Sequence, residues 1–190
     1  MRIISQNVTN FGIEVPKDTI FRINLAWCSS VKQLRDILDA HKNNSIFLDL
    51  PIKRIKPPNN KYTLDDLIPV ISSYNQIRYF AISNVESPDD LEYYIQKIPA
   101  NIILVPKIES PTAIQNISEI VNAIPTDEKV LMLDHDDLFS AIIKNNESID
   151  VFKKYIQQLT DYCNSNKIIL LRTIGVIFSD EEKRISSYMK

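Results

Sequence analysis

The sequence predicts an α/β protein whose parallel strands are joined by crossover helices and buried on both faces. Three observations carry that expectation. Short apolar runs of strand length alternate with segments whose apolar residues recur at helical spacing. Several helix starts carry capping chemistry in addition to the apolar pattern. No linker or low-complexity segment divides the 190 residues, so 1–190 is expected to be a single domain.

The elements follow in order. Met1 to Val15 offers two candidate strands, Arg2–Ile4 and Ile13–Val15. The first full unit is a strand over Ile20–Leu25 and a helix over Ser30–Ala40, where Val31, Leu34, Ile37 and Leu38 share a face. A second strand, Ser45–Leu50, runs into a turn-rich stretch containing Pro57, Pro58, Asn59 and Asn60. Its helix opens at Thr63 with Asp66 three residues on, the spacing of a capping box.

The third strand spans Ile77–Ile82. Ser87, Pro88, Asp89 and Asp90 then supply an N-cap, a proline at the first helical position and acids at the positive end of the helix dipole. The fourth strand, Ile102–Pro106, leads to a similar start at Ser110 and Pro111. Lys129–Leu133 is the fifth, followed by helical patterns through Cys163; Lys167–Leu171 is the sixth, with a last helix from about Ser179. Two architectures fit these units. One is a short or incomplete (β/α) barrel, since a complete one typically needs about 250 residues. The other is an open doubly wound sheet.

Composition narrows the function. The net charge is −2, which offers no basic face for a phosphate backbone, so nucleic acid is not an expected partner. Glycine occurs only at Gly12 and Gly175, so neither a G-x-G-x-x-G turn nor a Walker loop can be written. Cys28 and Cys163 have no metal-type spacing and read as inert small apolar residues. The opening MRIISQNVTN has no long apolar run, and no segment has transmembrane length without charge. The expected setting is the cytoplasm, away from any membrane.

In both architectures, sites form at the C-terminal ends of the strands. Arg22 and Asn24 share one face of their strand, and Asp49 closes the next. Lys107 and Glu109 close the fourth strand on one face; Asp134, His135, Asp136 and Asp137 follow the fifth; Arg172 and Thr173 close the sixth. Glu109 and Asp137 are expected to hold one Mg²⁺ while leaving positions for a substrate oxygen. Lys107 and Arg22 would neutralise a phosphate or carboxylate on that substrate. A metal beside a 2-oxo acid polarises its carbonyl and stabilises the enolate. The bland alternatives are an internal Lys107–Glu109 salt bridge, and Asp137 as a dipole-stabilised helix acid.

Ile103–Ile114, reading ILVPKIESPTAI, resembles the active-site signature of pyruvate kinase. Leu131–Leu138 is similar to that family's run ending in Gly-Asp-Leu, Phe21–Asn24 resembles its Arg-x-Asn strand, and Phe47–Pro51 its strand ending in Asp. Tyr62–Asp66 and Lys167–Thr173 extend the similarity, which covers Phe21 to Ile177. The resemblance implies a short or incomplete TIM (β/α) barrel. It also implies an enzyme acting on phosphoenolpyruvate, pyruvate or a related 2-oxo acid through an enolate, by phosphotransfer or by aldolase or lyase chemistry. Lys107 would stabilise the transferring group and enolate, Thr173 would assist proton transfer, and Arg22 would contact phosphate. Glu109 and Asp137 would bind Mg²⁺ or Mn²⁺, and Asn24 and Asp49 would belong to a K⁺ site. Class II pyruvate aldolases and citrate-lyase-type enzymes resemble the same scaffold. The family's lid domain has only Ile52–Tyr62 in its place, which favours lid-free chemistry. The alternative is a degenerate barrel serving in binding or assembly. Unpaired strand edges lead to the expectation of a homodimer.

Overall fold

The computed structural model describes residues 3–6, 15–16, 18–52 and 63–172. Among the described residues seven strands form one sheet: β1 (Ile3–Ser5), β2 (Ile20–Asn24), β3 (Ser45–Leu50), β4 (Ile77–Ile82), β5 (Ile103–Ile108), β6 (Val130–Leu133) and β7 (Ile169–Arg172). Every neighbouring pair is parallel, and the strands lie in chain order from β1 to β7. A doubly wound sheet reverses its strand order at a switch point, so that alternative is set aside.

The helices are α1 (Val31–Ala40), α2 (Leu64–Ser73), α3 (Asp89–Lys97), α4 (Pro111–Gln115), α5 (Ile117–Ala123), α6 (His135–Lys144) and α7 (Val151–Ser165). Among the described residues no helix is long and apolar enough to cross a membrane. Right-handed crossovers between sequential strands place all of them on one face of the sheet. The core divides accordingly. On the outer face Phe21, Ile23, Ile46, Leu48, Phe80, Leu104, Leu131 and Leu133 pack with the helical Leu34, Leu38, Leu67, Leu91, Ile120 and Leu159. The inner face holds a second cluster, Phe47, Ala81, Ile103, Val105, Val130 and Met132, to which no helix contributes. A sheet with helices on one side buries its other side by curling over itself, which gives the half-barrel. Among the described residues β1 pairs only with β2 and β7 only with β6, so a closed TIM barrel is not shown.

The caps follow local chemistry. Ser30 Oγ accepts from Gln33 N at 3.1 Å, and Ser110 Oγ from Ala113 N at 3.2 Å. Thr63 and Asp66 form the full capping box, with Asp66 Oδ2 accepting from Thr63 N at 2.8 Å. Helix α3 differs from expectation: its N-cap is Pro88, which offers no side-chain cap, and Asp90 Oδ2 accepts from Ser87 N and Glu86 N, both at 3.0 Å, and from Ser87 Oγ at 3.2 Å.

Strand β5 runs two residues past its expected end at Pro106. Proline ends most central strands because it lacks a donor. Here the ladder to β4 extends through Pro106 and the ladder to β6 begins at Lys107, so the strand changes partner there. Ile13, Glu14, Thr173 and the helix expected from Ser179 lie outside the described residues.

Candidate metal centre

Alternation along the strands sorts the site. Phe47, Ala81, Val105 and Met132 point to the inner face, so residues two further on point the same way. Those residues are Asp49, Ser83, Lys107 and Asp134. Glu109 lies two beyond Lys107. The polar group thus continues the inner apolar cluster at the C-terminal end of the sheet.

Lys107 is the hub. Its Nζ lies 2.7 Å from Glu109 Oε1, 3.1 Å from Ser83 Oγ, and 3.9 Å from both Asp49 Oδ1 and Asp134 Oδ2. The Lys107 side chain is 8% exposed, that of Asp49 1% and that of Glu109 4%; at such burial each charge needs a partner. Burial pulls the Lys107 ammonium toward neutrality, but the carboxylates of Asp49, Glu109 and Asp134 more than offset it, and its pKa stands above the ordinary lysine value. Lys107 is therefore a fixed cation at neutral pH.

Glu109 is held from both sides. Its Oε2 accepts from Asn84 N at 2.6 Å while Oε1 faces Lys107. Burial pushes its carboxyl above the usual range; Lys107 and the Asn84 N–H act against this, and the Asp137 charge adds to it. Carboxylate oxygens of Glu109, Asp134 and Asp137 lie within 4.8 Å of one another and could hold a metal ion. Glu109 is buried, Asp134 half-buried and Asp137 exposed, so the cluster opens toward solvent. Asp134 also caps α6, its Oδ1 accepting from Asp137 N at 3.4 Å.

The donor set passes a chemical test for a divalent ion. Three hard oxygen ligands suit Mg²⁺ or Mn²⁺ and leave other positions for water or substrate. In addition, Glu109 Oε1 is buried yet accepts no hydrogen bond of good geometry, although it forms the Lys107 ion pair.

The other expected residues sit beside this centre in different roles. Arg22 pairs with Asp49, its Nε donating to Oδ2 at 3.0 Å and its Nη2 making a close ion pair with the same oxygen. It therefore acts on Lys107 through Asp49. Asn24 Oδ1 accepts from Ala26 N at 3.0 Å and so caps the 3-10 turn Leu25–Trp27. Thr173 lies outside the described residues. Sequence reasoning named the 134–137 run without selecting Asp134, and it missed Ser83 and Asn84. Strand parity would have found the first two: Asp134 follows Val130 and Met132, and Ser83 follows Tyr79 and Ala81. Nothing in the sequence marked Asn84, whose backbone rather than side chain contacts Glu109.

No family model and no curated protein matches the chain. Among solved structures it is similar to the crystal structure of RipC from Yersinia pestis, with a TM-score of 0.60, 15% identity, and coverage of 88% of this chain and 75% of that one. At that identity the likeness shows the fold alone. The resemblance to the pyruvate kinase barrel is thereby corrected: the fold comparison points to RipC, and the sheet is a seven-stranded half-barrel. Polar residues collect at the C-terminal ends of parallel strands in many unrelated enzymes. A short Lys-Ile-Glu strand end therefore matches without common family membership.

Proposed function

We propose that the chain is a divalent-metal-dependent enzyme acting on a small 2-oxo acid through its enolate. The observation that carries this reading is the junction of the Glu109–Asp134–Asp137 cluster with the buried Lys107 ammonium at the sheet's C-terminal end. Glu109, Asp134 and Asp137 would hold Mg²⁺ or Mn²⁺. When bound, the ion would act as a Lewis acid on the substrate's carbonyl oxygen. Lys107, kept cationic by its neighbours, would bind the substrate carboxylate or the developing enolate charge. Arg22 and Asp49 keep Lys107 in place, and the apolar inner cluster excludes water from below. A K⁺ near Asn24 and Asp49 would compete with Arg22 for Asp49 Oδ2. We also read the half-barrel as part of a short (β/α) barrel, because its strands follow in chain order.

Calorimetry with Mn²⁺ and oxalate, an enolate mimic, tests the reading. The expected result is one Mn²⁺ per chain, with oxalate binding only when Mn²⁺ is present. Oxalate binding without metal, or no Mn²⁺ binding at millimolar concentration, overturns it. A Schiff-base mechanism is disfavoured because a permanently charged ammonium is a poor nucleophile. Borohydride with pyruvate should therefore leave Lys107 unlabelled.

A second reading rests on the 2.7 Å Lys107–Glu109 pair. In it the pair is an internal lock in a binding or assembly protein. That reading requires Mn²⁺ and oxalate to leave the protein's unfolding temperature unchanged.

A further inference from the structure

Adjacent residues at the end of β4 hold both members of the central ion pair. Ser83 Oγ accepts from Lys107 Nζ at 3.1 Å, and Asn84 N donates to Glu109 Oε2 at 2.6 Å. Asn84 has φ 56°, in the left-handed region that asparagine tolerates better than most residues. Its side chain fixes that conformation, Nδ2 donating to Ile52 O at 2.6 Å. The left-handed turn sets the plane of the Ser83–Asn84 peptide and so aims its N–H at Glu109.

We infer that Asn84 is a positioning residue that makes Glu109 a one-oxygen ligand and thereby sets the centre's preference for a small octahedral ion over Ca²⁺. The inference rests on the metal-centre reading above. The Asn84 N–H draws Oε2 toward the backbone and turns the buried Oε1, which faces Lys107 Nζ at 2.7 Å without a hydrogen bond of good geometry, toward the ion as the single ligating oxygen. Ca²⁺ takes six to eight oxygens and favours a two-oxygen carboxylate grip, whereas Mg²⁺ and Mn²⁺ accept single oxygens and keep waters. If the peptide plane turns away, Glu109 is free to rotate and offer both oxygens.

The test is Mn²⁺ and Ca²⁺ affinity, by calorimetry and by Mn²⁺ spin resonance, in the full chain and in three variants. Asn84→Gly keeps the left-handed conformation and should keep the native Mn²⁺-over-Ca²⁺ ratio. Asn84→Ala and the β-branched Asn84→Val disfavour it. Each should lower the ratio about tenfold, the size expected for a lost hydrogen bond to a charged group. If Asn84→Val does not fold, Asn84→Ala carries the comparison with Asn84→Gly. An unchanged ratio in a folded, Mn²⁺-binding Asn84→Ala overturns the role of Asn84 and leaves the metal centre standing. Failure of the unaltered chain to bind Mn²⁺ overturns the metal centre itself.

Discussion

The inner face of the sheet has two ends with opposite character. Toward the start of the strands Phe47, Ala81, Ile103, Val105, Val130 and Met132 pack side chain to side chain. One pleat further on, Asp49, Ser83, Lys107 and Asp134, with Glu109 a pleat beyond, replace them with polar and charged groups, all buried except the half-buried Asp134. Asp49 and Lys107 still lie within β3 and β5, whereas Ser83, Glu109 and Asp134 lie just past the ends of β4, β5 and β6, so residue type and the end of the ladder change together. The lower end stabilises the fold by removing apolar surface from water. At the upper end, desolvation opposes the ion pairs, and such groups are retained at functional sites more readily than for stability alone.

The largest expected effects come from removing the centre of either end. Lys107→Met should destabilise by about 3–5 kcal/mol, since it strands buried carboxylates without their cation. Phe47→Ala should lose about 3–5 kcal/mol through lost packing and a cavity. Urea unfolding with and without Mn²⁺ separates them. Mn²⁺ should restore part of the Lys107→Met loss, because a cation replaces the missing charge, and should leave the Phe47→Ala loss unaltered. Equal responses to Mn²⁺ would erase the distinction between the ends.

A smaller effect is expected at Ser83. Ser83→Ala removes a buried hydrogen bond to a charged group and should reduce stability by about 1.5–3 kcal/mol in the same assay. Next comes a pH dependence. The Glu109 carboxyl is raised above its ordinary value, with burial the leading cause. Such a group's contribution to stability is fully present below the unfolded value and is lost as pH rises through the folded one. Glu109→Gln should therefore gain stability relative to the unaltered chain as pH rises from acid to neutral. A difference that stays flat with pH would show that Glu109 is not perturbed.

The smallest effect is expected at a pair of similar length in a different place. Lys32 Nζ lies 2.8 Å from Asp36 Oδ2 on α1, close to the 2.7 Å of Lys107–Glu109, but its side chains are 84% and 62% exposed. Water already solvates both charges, so Lys32→Ala should leave the unfolding midpoint where it is.

Much of this fold was legible in the sequence. Ser30, Thr63 and Ser110 marked helix starts correctly because capping is decided within four residues. Strand ends at Leu50, Ile82 and Leu133 were also read correctly. Strand order and curl were not settled, because pairing joins segments far apart in the chain. At the site, period-two alternation placed Lys107 and Glu109 together. It could not say that Arg22 would be spent on Asp49, or that a left-handed Asn84 would turn its N–H onto Glu109. Those contacts depend on the register between β2, β3, β4 and β5, which the local sequence does not encode.

Anomalous diffraction from crystals grown with Mn²⁺ tests the central claim most directly. A single strong peak within coordination distance of Glu109, Asp134 and Asp137, with Lys107 still alongside, is the predicted result. Well-ordered crystals with no peak among those carboxylates, and Lys107 still locked to Glu109, would contradict it.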